Sequence, residues 1–217
     1  MLRDYTKDGV KLIADAVRAT SPVFEKLEDD QIVRMMVKHD YSSVLEHVKF
    51  TFELKDISVA LSREVLEHRM ASHTAKSTRY VSQKGGMSVY IPPKVLEDSY
   101  AREIFKDHVA RILDLYRYLE KSYGREEARY VLPLALRCTY VWTINARSLI
   151  NFLHLRLCVC SAPEMRELAS LIKAKVTVIY PEIFESVDCR GSFLGICPEP
   201  KERSCGKYPT LEVFEGK

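Results

Sequence analysis

Two narrow stripes of polar residues run along the otherwise apolar segment 145–157, and they give the clearest sign of chemistry in the sequence. In a helix, which turns about 100° per residue, Arg147 and Asn151 share one side, while Asn145 and Arg156 lie nearly together on another. Apolar residues fill most other directions, so the sequence predicts a largely buried helix. Buried arginine and asparagine side chains need partners. Internal ion pairs would supply them, and so would two bound ligands, one for each stripe.

A second group of polar residues lies in the segment 63–80, which is predicted to run from the end of a helix into a loop. Arg69, Lys76 and Arg79 could surround a phosphate there. Arginine suits that task because its planar guanidinium donates to two oxygens at once. The alternative is a solvated loop whose charges bind no ligand.

The chain has six cysteines, which in a reducing compartment are expected to be free thiols or metal ligands. Seven residues separate Cys189 from Cys197, and seven separate Cys197 from Cys205. Together with Cys158, these three could form a tetrahedral four-thiolate site for zinc or an iron–sulfur cluster. Because the spacing is not that of a standard motif, free thiols or a disulfide remain alternatives. Cys138 lies in a predicted strand and is expected in the core.

Hydrophobic periodicity predicts the elements that hold these residues. Residues 47–55 alternate between polar and apolar side chains, which indicates a strand with one buried face. Residues 135–144 are rich in strand formers, and residues 72–92 are expected to form a loop. Helices are predicted at residues 30–38, 57–70, 95–123, 145–157 and about 162–180. Helices mixed with few strands favour an α+β fold with an antiparallel sheet flanked by helices.

Helix boundaries are predicted from capping residues. Ser58 or Asp56 is expected to cap the helix 57–70. Gly124 is expected to end the helix 95–123, and Pro181 follows the last predicted helix.

Length and composition suit one globular domain over residues 1–217, with a cysteine-bearing, irregular tail at about 189–217. Hydrophobic residues make up 47% and charged residues 29%, so disorder is not expected. The net charge of +3 is too small to indicate a nucleic-acid partner. Nowhere do about 18 apolar residues run together, and the N-terminus has no apolar core, so no membrane helix or secretory signal is expected. The sequence thus predicts a cytoplasmic protein.

Four segments match one known set of signature segments, in the same order along the chain. Residues 43–52 read SVLEHVKFTF, and residues 68–80 read HRMASHTAKSTRY. Residues 128–133 read ARYVLP, and residues 145–156 read NARSLINFLHLR. Several motifs in order are far more specific than one short pattern. Together they resemble the flavin-dependent thymidylate synthase family, and the cysteine-bearing tail is similar to the tails of some members.

The resemblance implies an α+β fold and a homotetramer with active sites at subunit interfaces. It implies that FAD is bound by Ser43, His68, Arg69, Asn145, Arg147 and Asn151. It implies that dUMP is bound by Ser77, Arg79, Arg129 and Arg156. Of these, Ser77 and Arg156 are the predicted catalytic residues.

The resemblance also implies the reaction. In the family, NADPH reduces FAD, methylenetetrahydrofolate supplies a carbon, and dUMP is reductively methylated to dTMP. No cysteine nucleophile is required. The protein is expected mainly to bind, orient and polarise, since the flavin carries the redox chemistry.

The match breaks at several positions of the expected pocket. The first Arg of the family's R-H-R is Glu67, a Gln is Glu64, an acidic residue is Ala75, a His is Tyr41 and a Gln is Ala162. At about 4 Å and an effective dielectric of about 20, one charge contact is worth on the order of 4 kcal/mol before desolvation. An Arg-to-Glu change could therefore cost much of the affinity for dUMP. The alternatives are a family member that acts on another pyrimidine nucleotide, or a non-catalytic flavin- or metal-binding homologue.

Overall fold

A computed structural model describes residues 1–210 as an α+β fold. Its antiparallel sheet has four strands in the order β1-β2-β4-β3. The strands are β1 (Leu2–Tyr5), β2 (Lys49–Ser58), β3 (Ala71–Ala75) and β4 (Arg137–Asn145). The predicted fold class is confirmed. The end of the predicted tail, residues 211–217, lies outside the described residues.

Ten α-helices lie within residues 1–210. They are α1 (Gly9–Arg18), α2 (Asp29–Lys38), α3 (Val59–Leu66), α4 (Pro93–Glu97), α5 (Ser99–Tyr123), α6 (Arg125–Ala128), α7 (Ala146–Arg156), α8 (Pro163–Ile179), α9 (Pro181–Phe184) and α10 (Arg190–Leu194). Short 3₁₀ turns lie at Pro22–Phe24, Ser42–His47 and Arg129–Val131. Within the same described range, no helix is both long enough and apolar enough to cross a bilayer.

The two strands predicted from the sequence are confirmed, with slightly shifted ends. In β2, Phe50, Phe52 and Leu54 are buried, as the alternation predicts. In β4, every second residue from Cys138 to Ile144 is buried. Cys138 is therefore a core residue, as expected.

The predicted helix 57–70 is too long, and the predicted loop 72–92 hides a strand. Ser58 caps α3 by accepting a hydrogen bond from the Leu61 backbone at 2.9 Å, which confirms that cap. The helix ends at Leu66, and β3 follows at the edge of the sheet. The strand was missed because it is mostly exposed and so lacks a clear apolar alternation.

The helix α5 begins and ends at capping residues. Asp98 Oδ1 accepts hydrogen bonds from the backbone of Tyr100 and Ala101 at 2.9 and 3.0 Å. Gly124, with φ of 97°, ends the helix as predicted, because a positive φ suits glycine.

The chain forms two compact units. The central unit contains Met1 and Phe52–Trp142, and the terminal unit contains Leu2–Thr51 and the described residues from Thr143 onward. Phe52 and Trp142 are buried in the central unit with their ring centroids 6.1 Å apart. The prediction of one domain over residues 1–217 stays a prediction.

The core of the terminal unit is centred on aromatic rings. The Phe50 ring meets Tyr180 and Phe184 edge to face, at centroid distances of 6.1 and 5.5 Å. The Tyr180 hydroxyl accepts from the Gly9 backbone at 2.8 Å and donates to the Thr6 carbonyl. A Cβ at Gly9 would lie 2.8 Å from the Tyr180 ring, so only glycine allows this close approach. These contacts fix the N-terminal segment against the end of α8.

Candidate functional site

The central unit ties the loop with Ser77 and Arg79 to the segment that carries Arg129. Arg79 Nη2 lies 2.9 Å from Oε1 of Glu126 and 3.0 Å from its Oε2. Glu126 belongs to α6, and Arg129 begins the 3₁₀ turn directly after that helix. The structure thus places these three predicted nucleotide-binding residues on two segments that an ion pair joins.

Local contacts set the shape of this loop. The Arg79 backbone N–H donates to Ser77 Oγ at 3.2 Å, so the two residues share one tight turn. Arg125 Nη1 donates to the Tyr80 carbonyl at 2.6 Å, which adds a second tie to α6. The Arg79 and Glu126 side chains are 48% and 56% exposed. A phosphate can therefore reach the Arg79 guanidinium from solvent by displacing Glu126.

The chain after this loop is fastened to α5. Ser82 Oγ donates to Glu120 at 2.8 Å, and the Gln83 backbone donates to the Tyr116 hydroxyl at 3.3 Å. Within α5, which lies wholly in the described part of the chain, only Tyr116 is buried. The buried Tyr116 on α5 thus holds the chain just after the loop that carries Ser77 and Arg79.

His68 and Arg69 follow the end of α3. His73 Nε2 lies 3.2 Å from the His68 carbonyl, and His73 Nδ1 lies 2.9 Å from the Tyr140 hydroxyl. Because a carbonyl only accepts, Nε2 donates, and in the neutral ring Nδ1 accepts from Tyr140. Burial raises the pKa of Tyr140, which keeps its hydroxyl a donor. His73 thus positions His68, while Arg69 stays exposed. No pattern in the sequence marked His73.

In the terminal unit, the helix α7 is buried on one face only. Its buried residues are Ala146, Leu149, Phe152, Leu153 and His154. The stripe with Arg147 and Asn151 is exposed, so the prediction of a largely buried helix is wrong for that side. Arg147 Nη1 donates to Glu46 Oε1 at 2.6 Å, which is the internal ion pair foreseen as an alternative. Asn145 caps the helix by accepting from the Ser148 backbone at 2.8 Å.

The other residue of the exposed stripe also has a partner. Asn151 Oδ1 accepts from Arg190 Nη2 at 2.7 Å. Within residues 1–210, Arg190 Nε is buried and has no hydrogen-bond partner. Arg190 lies 39 residues further along the chain, so no sequence pattern indicates that it joins this surface.

The remaining predicted residues of the terminal unit lie at the edges of these elements. Ser43 is exposed in the 3₁₀ turn that also carries Glu46, the partner of Arg147. Arg156 is the last residue of α7 and is half-buried. The turn with Ser43 is therefore linked to Arg147 through Glu46, and Asn151 lies one helical turn after Arg147 on the same exposed stripe.

The sequence model of the family "Thymidylate synthase complementing protein" matches residues 1–182. Over 217 residues, the chain is 37% identical to the flavin-dependent thymidylate synthase of Geobacter sulfurreducens, with 95% of this chain and 93% of that one covered. This chain belongs to the flavin-dependent thymidylate synthase family. A relative of the same name from Nitratidesulfovibrio vulgaris is 30% identical over 202 residues, covering 88% of this chain and 82% of that one.

Solved structures agree on the fold. The flavin-dependent thymidylate synthase of Helicobacter pylori, complexed with FAD and dUMP, matches with a TM-score of 0.68. It is 24% identical, and the match covers 87% of this chain and 98% of that one. This likeness independently confirms the α+β fold.

Several departures from the family's signature lie on exposed positions of this member. Glu67 is exposed as the C-cap residue of α3, directly before His68. Ala75 is exposed at the end of β3, and Ala162 is exposed before Pro163 at the start of α8. The reversed charge at Glu67 thus faces solvent within the described chain. Solvent weakens its repulsion of an anion below the value expected for a buried site.

Four of the six cysteines of this family member line a cavity of about 100 Å³ in the terminal unit. All four cysteines of the predicted metal site line it, namely Cys158, Cys189, Cys197 and Cys205. Among the described residues, the group of donors close enough to share one ion is a different one, Cys158 with Cys160 and Glu199. The six cysteines form no disulfide within residues 1–210, and the four-cysteine site stays a prediction.

The environment of Cys158 disfavours a bare thiolate. Burial raises the pKa of the Cys158 thiol, and the charges of Cys160 and Glu199 raise it further. The Cys160 backbone lies 3.5 Å from Cys158 Sγ as a hydrogen-bond donor. A cation between these groups would relieve the repulsion.

Proposed function

We propose that this protein catalyses the flavin-dependent reductive methylation of dUMP to dTMP. The observation that carries the proposal is the arrangement in the central unit, where the ion pair of Arg79 and Glu126 joins the Ser77 loop to the Arg129 segment. Membership in a family whose relatives bear this activity in their names supports it.

The nucleotide is proposed to bind through Ser77, Arg79, Arg129 and Arg156. Arg79 presents a half-exposed guanidinium, and the carboxylate of Glu126 contacts its Nη2, one of the donors that a phosphate would take. The Arg129 guanidinium lies 5.3 Å from the Tyr130 ring centroid, which orients it without neutralising it. Two arginines on tied segments suit a dianionic phosphate. Arg156 is proposed to stabilise negative charge that develops on the pyrimidine.

FAD is proposed to bind through Ser43, His68, Arg69, Asn145, Arg147 and Asn151. The terminal unit fits such a cofactor, because Arg147 is exposed on a rigid helix and Arg190 has a buried Nε without a hydrogen-bond partner in the described range. A diphosphate could accept from both arginines. When bound, FAD would supply the hydride chemistry, with NADPH as reductant and methylenetetrahydrofolate as the carbon donor.

The side chains of the protein would bind the nucleotide and FAD and orient them for the reaction. The side-chain oxygen of Asn145 accepts the capping hydrogen bond of α7, so its amide N–H groups are the part available to a ligand. His73 holds the His68 backbone in place. Ser77 Oγ accepts from the Arg79 backbone, which aims its hydroxyl hydrogen elsewhere, toward a substrate oxygen. Preorganised donors of this kind avoid reorganisation during the reaction.

A homotetramer is part of the proposal, and α5 supports it. Apolar residues stand exposed along this 25-residue helix, namely Tyr100, Ile104, Leu115, Tyr118 and Tyr123. A monomer seldom exposes such a row, whereas a subunit interface buries it.

The test is an anaerobic assay of the purified chain with FAD, NADPH, methylenetetrahydrofolate and dUMP, following dTMP by chromatography. Protein-dependent dTMP is expected. A yellow protein that makes no dTMP would instead favour another pyrimidine nucleotide, the possibility raised by Glu67. A colourless protein that never takes up FAD would overturn the flavin assignment.

A further inference from the structure

The turn after α7 and the tail bring three metal-binding groups together in the terminal unit. The donor atoms of Cys158, Cys160 and Glu199 all lie within 4.8 Å of one another. All three residues are half-buried. They come from parts of the chain about 40 residues apart, so no local motif dictates their meeting.

The spacing suits a single ion. A zinc–thiolate bond is about 2.3 Å long, so two thiolates on one tetrahedral zinc ion lie roughly 3.8 Å apart. The three donors lie within 4.8 Å of one another. Their separations therefore exceed the tetrahedral value by at most about 1 Å, and small side-chain rotations would bring them onto one ion. An iron–sulfur cluster spreads its thiolates over several irons, and this compact group does not suit that arrangement.

The donor types also point to zinc. Two thiolates select a soft or borderline metal, and a carboxylate is a regular third zinc ligand. The Cys160 Sγ donates to the Arg203 carbonyl at 3.1 Å. Zinc binding would replace that hydrogen bond and release one proton from each of the two thiols to solvent. The Cys160 backbone N–H, placed at 3.5 Å from Cys158 Sγ, would then support the Cys158 thiolate.

We infer that Cys158, Cys160 and Glu199 bind one zinc ion. Cys158 and Glu199 also line the cavity of about 100 Å³, so water or a lining cysteine completes the tetrahedron. The tail around Glu199 has little regular structure of its own. The ion would hold it against the turn that follows α7. This site does not depend on the proposed reaction.

The experiment measures zinc in the full-length protein by mass spectrometry after purification without chelators. About one zinc per chain is expected in the wild type. Cys158→Ser and Cys160→Ser are each expected to weaken zinc binding by at least about tenfold in competition with a chromophoric chelator. Cys138→Ser is the matched control, because it removes a thiol from β4 and leaves the three donors intact.

A second measurement uses only the wild-type protein, so it tests the site even if the cysteine variants fail to fold. X-ray absorption of the wild-type protein is expected to show two sulfur neighbours at about 2.3 Å, or three if a cavity cysteine joins, with at least one oxygen at about 2.0–2.2 Å. Four sulfur neighbours, bound iron with sulfide, or a wild type that cannot take up zinc would each overturn the assignment. None of these results bears on dTMP formation, so the two proposals fail separately.

Discussion

Two arginine–glutamate pairs, one in each unit, hold predicted ligand-binding arginines in the same way. In the central unit Arg79 pairs with Glu126, and in the terminal unit Arg147 pairs with Glu46. All four side chains are about half exposed. Exposed pairs of this kind contribute only about 0–1 kcal/mol to stability. Each glutamate therefore orients its arginine and takes the place that an anionic ligand would have in the proposed sites, while other contacts stabilise the fold.

The largest expected effect is on the KM for dUMP, and it should be seen when Arg79 is replaced but not when Arg147 is. Arg79→Ala should raise the KM for dUMP by about 10- to 150-fold, because a charged hydrogen bond is worth about 1.5–3 kcal/mol. Flavin content should not change. Arg34→Ala is the matched control, because Arg34 pairs with Glu185 at a similar exposure outside the proposed site. An unchanged KM in steady-state assays would remove Arg79 from the nucleotide site.

Arg147→Ala should show the opposite pattern. Loss of one charged hydrogen bond to the diphosphate should weaken FAD binding roughly tenfold. The KM for dUMP, measured at saturating FAD, should stay near the wild-type value. Titration of the apoprotein with FAD, followed by flavin fluorescence, measures the first effect. If both arginine variants lose the same ligand, the division between the two pairs is wrong.

Asn145 distinguishes support of the helix from contact with the flavin. Asn145→Ala should lower the unfolding free energy by about 1 kcal/mol, since the α7 cap is lost. Asn145→Ser keeps a capping oxygen but lacks the amide N–H groups, so stability should recover while FAD binding does not. Denaturant melts and FAD titrations on both variants give the two readouts. If the serine variant binds FAD as the wild type does, the role of Asn145 is to cap α7 and not to contact FAD.

The smallest effects come from the glutamates. Glu126→Gln should lower the KM for dUMP about two- to threefold at low salt, because a competing charge of roughly 0.5 kcal/mol is gone. High salt should erase the difference. Glu46→Gln should leave that KM unchanged, which makes it the matched control. A rise in KM for Glu126→Gln would mean that orientation outweighs competition.

Local patterns predicted the elements well, because periodicity and caps act over a few residues. The strands at β2 and β4, the Ser58 cap and the Gly124 end all follow from such patterns. The edge strand β3 escaped because exposure on most of its residues blurs the alternation.

Pairings across long stretches of chain could not be predicted from spacing. Glu126 lies 47 residues from Arg79, and Arg190 lies 39 from Asn151. The regular spacing of Cys189, Cys197 and Cys205 suggested a metal site, yet the donors that the fold groups with Cys158 within 4.8 Å are Cys160 and Glu199. In the sequence, Glu199 is one of many charged residues, and only the fold brings its carboxylate to the two cysteines.

The bond between Gly9 and Tyr180 has a consequence for how the chain is made. Its two ends are 171 residues apart, whereas the central unit is almost continuous in sequence. At about 5–20 residues per second, a ribosome needs roughly 10–35 seconds to span that gap. The Gly9 backbone N–H must wait for this partner through that interval, although β1 can already pair with β2. In nascent chains, the start of α1 should therefore gain its full protease resistance only after the end of α8 has been made.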